Sequence, residues 1–150
     1  MTLESFAGPA TGALDGAEHV YRLRVYYEDT DAAGIVYHSR YLNFAERART
    51  EMLRLTGLEQ SDLRESHGVV FAVLDCQVRF IGPARFDDLL EVRSRLTELR
   101  GASLGAVQEI WRDDQRLVSL DLRVATVSSE DGRPARIPET VRAALGPHLR

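Results

Sequence analysis

One stretch constrains the fold of this chain more than any other. From Tyr41, apolar residues recur at Tyr41, Ala45, Ala48, Met52 and Leu55, at spacings of four, three, four and three. That is one face of an α-helix. Asn43, Glu46, Arg47, Thr50, Glu51 and Arg54 fall on the other faces, with Arg47 and Glu51 spaced as an i,i+4 ion pair. Ser39 stands where a cap belongs and Gly57 where the helix can stop. The flanking sequence follows a different period. Val20 to Tyr27 alternates, with Tyr21, Leu23, Val25 and Tyr27 on one face of a half-buried strand. After the helix, a short helical turn capped by Ser61 ends near Gly68. Val69 to Phe80 is then long, apolar and β-branched, and Gly82-Pro83 closes it. Leu89 to Leu99 alternates up to Arg100-Gly101, and Ser103 to Trp111 and Leu117 to Ser128 are joined at Asp113-Asp114-Gln115. A weak final helix spans roughly Pro138 to Leu145.

The predicted order is strand, long helix, then four consecutive strands joined by short turns. It predicts an α+β domain, a five-stranded and mainly antiparallel sheet wrapped around one long central helix. One helix covers only one face of such a sheet, so pairing with a second copy is the simplest way to manage the edges. The 150 residues fit one domain. We expect a flexible tail over 1–18, rich in Gly, Ala, Thr and Pro, a folded domain over 19–137, and a C-terminal tail or short helix over 138–150.

Composition narrows the classes of function. No apolar run approaches the ~20 residues of a membrane-spanning helix. Met1 to Ala17 holds no Lys or Arg, so no secretory leader is expected. The single cysteine, Cys76, excludes an internal disulfide and fits a reducing, cytoplasmic setting. A net charge of −4 with acids and arginines interspersed argues against a nucleic-acid surface. All 19 basic residues are arginine, and without lysine neither a Schiff base nor a P-loop is available.

The chemistry-bearing residues gather ahead of the long helix. Asp31 precedes a bend at Gly34, and His38 lies at the predicted helix opening. A helix start offers unpaired N–H groups and roughly half a positive charge, so it can hold an oxyanion. A carboxylate beside it completes the minimum for hydrolysing an activated acyl group. Asp31 is the candidate carboxylate; a turn-tightening role is the alternative. His38 offers its backbone N–H, and its ring can orient the carboxylate or protonate a leaving thiolate. Tyr27, four residues before Asp31, either steadies the carboxylate or simply packs in its strand. Asp29-Thr-Asp31 has the form of a metal-binding DxD but lacks a nearby third ligand, so no metal is expected. Glu46 and Glu51 lie off the apolar stripe as ion-paired surface acids, and Cys76, sharing a face with Leu74 and Val78, is a small core residue.

The run Tyr-x-x-x-Asp-x-x-Gly-x-Val-Tyr-His, present as Tyr27, Asp31, Gly34, Val36, Tyr37 and His38, resembles the 4-hydroxybenzoyl-CoA thioesterase family. Glu46-Arg-Ala-Arg-Thr-Glu-Met-Leu53, Pro83-Ala-Arg-Phe-Asp-Asp88 and Arg100-Gly-Ala-Ser-Leu104 narrow the resemblance to its YbgC branch, acyl-CoA thioesterases associated with the Tol-Pal system. It runs from about Val20 to about Pro138. It implies the hot-dog fold and an acyl-CoA thioesterase with Asp31, His38 and Tyr27 as catalytic residues. It further implies Gly34, Val36, Tyr37, Arg85, Arg100 and Ser103 as substrate-binding residues. No cofactor is implied beyond the coenzyme A of the substrate. Dimers or tetramers are expected, with the site at a subunit interface and an acyl carrier protein as a possible partner. Two rival readings are a hydroxyacyl dehydratase on the same fold and a non-catalytic acyl-CoA or acyl-carrier-protein binder.

Overall fold

The computed structural model describes residues 11–149. The chain runs β1 (Ala13–Asp15), β2 (Glu18–Arg24), α1 (Arg40–Leu55), α2 (Gln60–His67), β3 (Val69–Phe80), β4 (Leu89–Leu99), β5 (Ser103–Arg112), β6 (Gln115–Ser128) and α3 (Glu139–Leu145). All strands pair antiparallel in one sheet, ordered β1-β2-β4-β5-β6-β3. Helix α1 packs against β2, β4 and β5. This is the hot-dog arrangement, a sheet wrapped around one long helix.

The sheet has six strands where five were expected. The extra one, β1, pairs Ala13 with Val20 and Asp15 with Glu18 across a two-residue turn at Gly16, φ +65°. Glycine reaches that conformation without the steric cost a Cβ would impose. Residues 13–15 of the expected loose tail are therefore paired strand, while residues 1–10 of it lie outside the described residues.

The buried face of α1 is Tyr41, Phe44, Ala45, Ala48 and Met52. Phe44 joins the stripe read from the sequence, and Leu55, 38% exposed, leaves it. The expected Arg47–Glu51 pair is replaced by Glu51 with Arg54, Nε to Oε2 3.2 Å. The first half of the helix buries Phe44 and Ala48 against Leu90, Val92, Ile110 and Leu120. Its second half and α3 close a further cluster with Met52, Leu96, Leu122, Val124, Val141 and Leu145. A β-bulge between Val73 and Asp75 shifts the register of β3 against β6. Leu74 is thereby turned outward, 54% exposed, while Cys76 stays half-buried and packs against both clusters. A bulge inserts one residue and switches the side-chain alternation, so Leu74 and Cys76 do not share a face as the plain period of two implied. Burial pushes the Cys76 thiol above its ordinary pKa.

Candidate active site

The segment between β2 and α1 is shaped by a few hydrogen bonds. Strand β2 ends after Arg24, and Val25 is held by Asp88, its N–H donating to the Asp88 carbonyl at 2.9 Å. The buried Asp29 carboxylate then accepts the Tyr26 N–H at 2.8 Å, bending the chain into a single 3₁₀ turn, Tyr27–Asp29. Tyr27 is therefore not in the strand. It stands 81% exposed with its ring edge-on to Phe86, centroids 5.9 Å apart. Among the described residues its hydroxyl makes no hydrogen bond to Asp31, so of the two roles read for it neither the contact with the carboxylate nor packing within β2 is present.

Asp31 follows on an exposed loop. Its Oδ1 accepts the Ala33 N–H at 2.9 Å, its carbonyl accepts the Gly34 N–H at 2.9 Å, and its own N–H donates to Ile35. Gly34 sits at φ +79°, the conformation that lets this turn close. The turn tightening read as the alternative is thus present, and it uses one carboxylate oxygen. Oδ2 has no protein donor among the described residues. Asp29 and Asp31 are separately engaged, Asp29 by Tyr26 and by Arg40 at 4.0 Å.

From Ile35 the chain pairs with the 83–88 loop. Ile35 bridges to Arg85, and the Val36 N–H donates to the Ala84 carbonyl at 2.9 Å. The Ala84 N–H in turn donates to the buried Tyr41 hydroxyl at 3.0 Å, tying the loop to the first turn of α1. Burial raises the Tyr41 phenol above its ordinary pKa, partly offset by that hydrogen bond. Arg112 steadies the loop from β5, donating to Asp88 Oδ2 at 2.8 Å.

These contacts leave a cleft of about 450 Å³ lined by Asp31, Val36, Tyr37, His38, Tyr41, Phe80 and the Ile81–Pro83 corner. The opening of α1 faces into it. Ser39 makes no side-chain cap bond, and the first turn carries no acid. Among the described residues nothing accepts the His38 or Ser39 N–H. The helix start therefore offers unspent donors and its dipole to whatever occupies the cleft. The His38 ring leans on Tyr37, centroids 4.4 Å apart. On the other side of Asp31 a second cleft, about 460 Å³, is lined by Tyr27, Thr30, Gly34 and Phe86.

The expected site residues separate cleanly. Asp31, His38, Val36 and Tyr37 share the first cleft, and Gly34 and Tyr27 line the second. Arg85 is beside them, its backbone bridged to Ile35 and its N–H donating to Asp88 Oδ2. Arg100 and Ser103 are not there. They lie at the far end of β4, a strand of 11 residues, which is ~36 Å of extended chain. There Arg100 pairs with Glu98, and its carbonyl accepts from Arg142. Sequence reasoning missed Ile35, Tyr41, Phe80 and Ile81 as cleft residues. Only the Gly82-Pro83 break signalled that a wall of the cleft begins there.

Residues 25–145 match the Thioesterase-like superfamily, and the chain belongs to that family. Acyl-CoA thioesterase YbgC of Haemophilus influenzae is 40% identical over 125 residues, 83% of this chain and 92% of that protein. Acyl-CoA thioester hydrolase YbgC of Escherichia coli O157:H7 is 41% identical over 122 residues, 81% of this chain and 90% of its own. The crystal structure of a hypothetical protein from Thermus thermophilus superposes with a TM-score of 0.79 at 36% identity, covering 86% of this chain and 95% of that one.

Proposed function

We propose that this chain hydrolyses acyl-CoA thioesters to a carboxylic acid and free coenzyme A, using no metal. The observation that carries the reading is the single cleft shared by the Asp31 carboxylate and the unspent amides opening α1. A thioester carbonyl bound there directs its oxygen to the His38 N–H, where the helix dipole stabilises the negative charge of the tetrahedral intermediate. Asp31 attacks the carbonyl carbon through Oδ2 or takes a proton from an attacking water. In both routes the C–S bond breaks, coenzyme A leaves as thiolate, and one water is consumed. In this reading the His38 ring returns a proton to that thiolate. The relatives named acyl-CoA thioesterases support this substrate class for the chain.

The proposal includes a second copy. Strand β3 is an edge strand of 12 residues with Val73, Leu74 and Phe80 about half exposed. Pairing along β3 covers those side chains and satisfies its free backbone groups. A cytoplasmic setting and acyl carrier protein as an alternative acyl donor belong to the same reading.

Asp31→Asn tests it. The variant keeps the fold, because the Asn side-chain oxygen still accepts the Ala33 N–H, and loses on the order of 100-fold or more of its turnover. Turnover is followed as free thiol released from a panel of acyl-CoAs. Coenzyme A release by this variant at a near wild-type rate overturns the assignment.

A further inference from the structure

A second feature lies under the other half of α1, away from the Asp31 cleft. Between Met52 and the inner face of the sheet is a cavity of about 70 Å³, walled mainly by Leu96, Leu104, Ala106, Val124 and Leu145. It opens beside the half-buried Leu53 and Phe71 and the exposed Gln60. One charged group reaches its wall, Arg49.

The polar groups around Arg49 are arranged with unusual economy. Gln108 is fully buried, and its Nε2 spends both hydrogens, on the Ala45 carbonyl and on Ser94 Oγ, each at 2.9 Å. That fixes the amide so that Oε1 points at Arg49, whose Nη1 donates to it at 2.9 Å. Among the described residues no carboxylate lies within 4.0 Å of the guanidinium. The nearest acid influence is Glu46, which is engaged by Thr50. Burial holds the Arg49 guanidinium below its ordinary pKa. The remaining guanidinium N–H groups have no acceptor among the described residues, yet they are not sealed away from accessible space.

A half-buried cation with no ion pair among the described residues is costly, and a rigid amide that aims it into an apolar space favours a ligand bearing the missing charge. We infer that Arg49 and this cavity form a binding site for a short-chain aliphatic carboxylic acid, the carboxylate on the Arg49 fork and the alkyl tail among Met52, Leu96 and Leu104. Arginine matches a carboxylate with two parallel donors, and the volume admits only a tail of a few carbons. The site shares no lining residue with the Asp31 cleft. It takes the same chemical class as the acid released by the proposed reaction, but binding there does not depend on turnover.

The test is binding of butanoate and hexanoate to the full-length protein near neutral pH, by calorimetric titration and by shift of the unfolding temperature. Butanol and hexanol serve as matched uncharged probes. Hexanoate is expected to bind and hexanol not; Arg49→Met, which keeps the side-chain bulk, weakens hexanoate on the order of 10- to 100-fold. Arg49→Lys, which keeps the charge and loses the fork, falls between the two. Asp31→Asn binds hexanoate like the wild type, which separates this site from the hydrolytic one. Equal binding of acid and alcohol, undiminished binding in Arg49→Met, loss of binding in Asp31→Asn, or no binding of either acid overturns the inference.

Discussion

The junction between Tyr41 and Ala84 is where the fold supports the candidate active site, and Tyr41→Phe isolates it. Tyr41 is 3% exposed and Ala84 fully buried, and the 3.0 Å bond between hydroxyl and N–H is the only one either polar group makes among the described residues. The substitution removes one oxygen and leaves the ring packed against Phe44 and Phe80. A buried N–H without an acceptor costs about 1–3 kcal/mol. For a domain of this size each kcal/mol moves Tm by roughly 2–4 °C, so a loss of about 2 kcal/mol lowers Tm by ~4–8 °C. The loop thus loosened carries the carbonyl that receives the Val36 N–H and the Pro83 corner of the cleft. The rate of coenzyme A release should therefore fall along with Tm. Thermal unfolding followed by circular dichroism measures the first effect, and thiol release the second. Tyr21→Phe, whose hydroxyl makes no bond among the described residues, is the control. A Tm for Tyr41→Phe within about 1 °C of wild type would refute the claim that the junction is dry and the N–H otherwise unpaired.

Three further outcomes follow from other sites. His19 is fully buried, its Nε2–H donates to the Thr11 carbonyl at 2.8 Å, and its Nδ1 has no partner. Burial lowers its pKa, the Thr11 bond and Glu51 opposing less strongly, so the unfolded chain takes up the proton first. Its contribution to stability is complete above the unfolded value of about 6.5 and is lost as the pH falls toward the lower folded value. Urea midpoints measured from pH 7.5 down to 5 should fall in wild type and flatten in His19→Gln. Gly34→Ala meets no atom within 4 Å but is forced to φ +79°, so about 1 kcal/mol of strain falls on the Asp31 turn; kinetics should show a larger loss in turnover than calorimetry shows in stability. Gly12→Ala drives a Cβ into the Val20 carbonyl oxygen, so proteolysis near the N-terminus should accelerate while coenzyme A release stays unchanged.

How much of this was legible in advance depends on the range of the interaction concerned. The period of Tyr41, Ala45, Ala48 and Met52 announces α1, and the apolar run from Val69, the alternation from Leu89 and the turn residues between them announce four strands, because these follow from the geometry of single backbone segments. Gly34 was readable as a bend, and its φ of +79° agrees. The face occupied by Leu74 was not readable, since a bulge depends on how β3 meets β6. Nor was the position of Tyr27: alternation carried it into the strand, while the Asp29 carboxylate, by accepting the Tyr26 N–H, took it out.

The local pattern of residues, then, determined by itself the elements, their order and the nearness of Asp31 to the opening of α1, because seven residues of chain allow little else. The tertiary structure alone decided what surrounds that pair. Phe80, at the end of β3, and Pro83, in the corner after it, arrive from more than 40 residues away, and Arg100 is carried to the opposite end of the sheet by a rigid strand. It also decided that Gln108, on β5, meets Arg49 on α1. Contacts of that kind are set by sheet register and helix packing, which depend on the summed burial of the whole core and not on any one stretch of sequence.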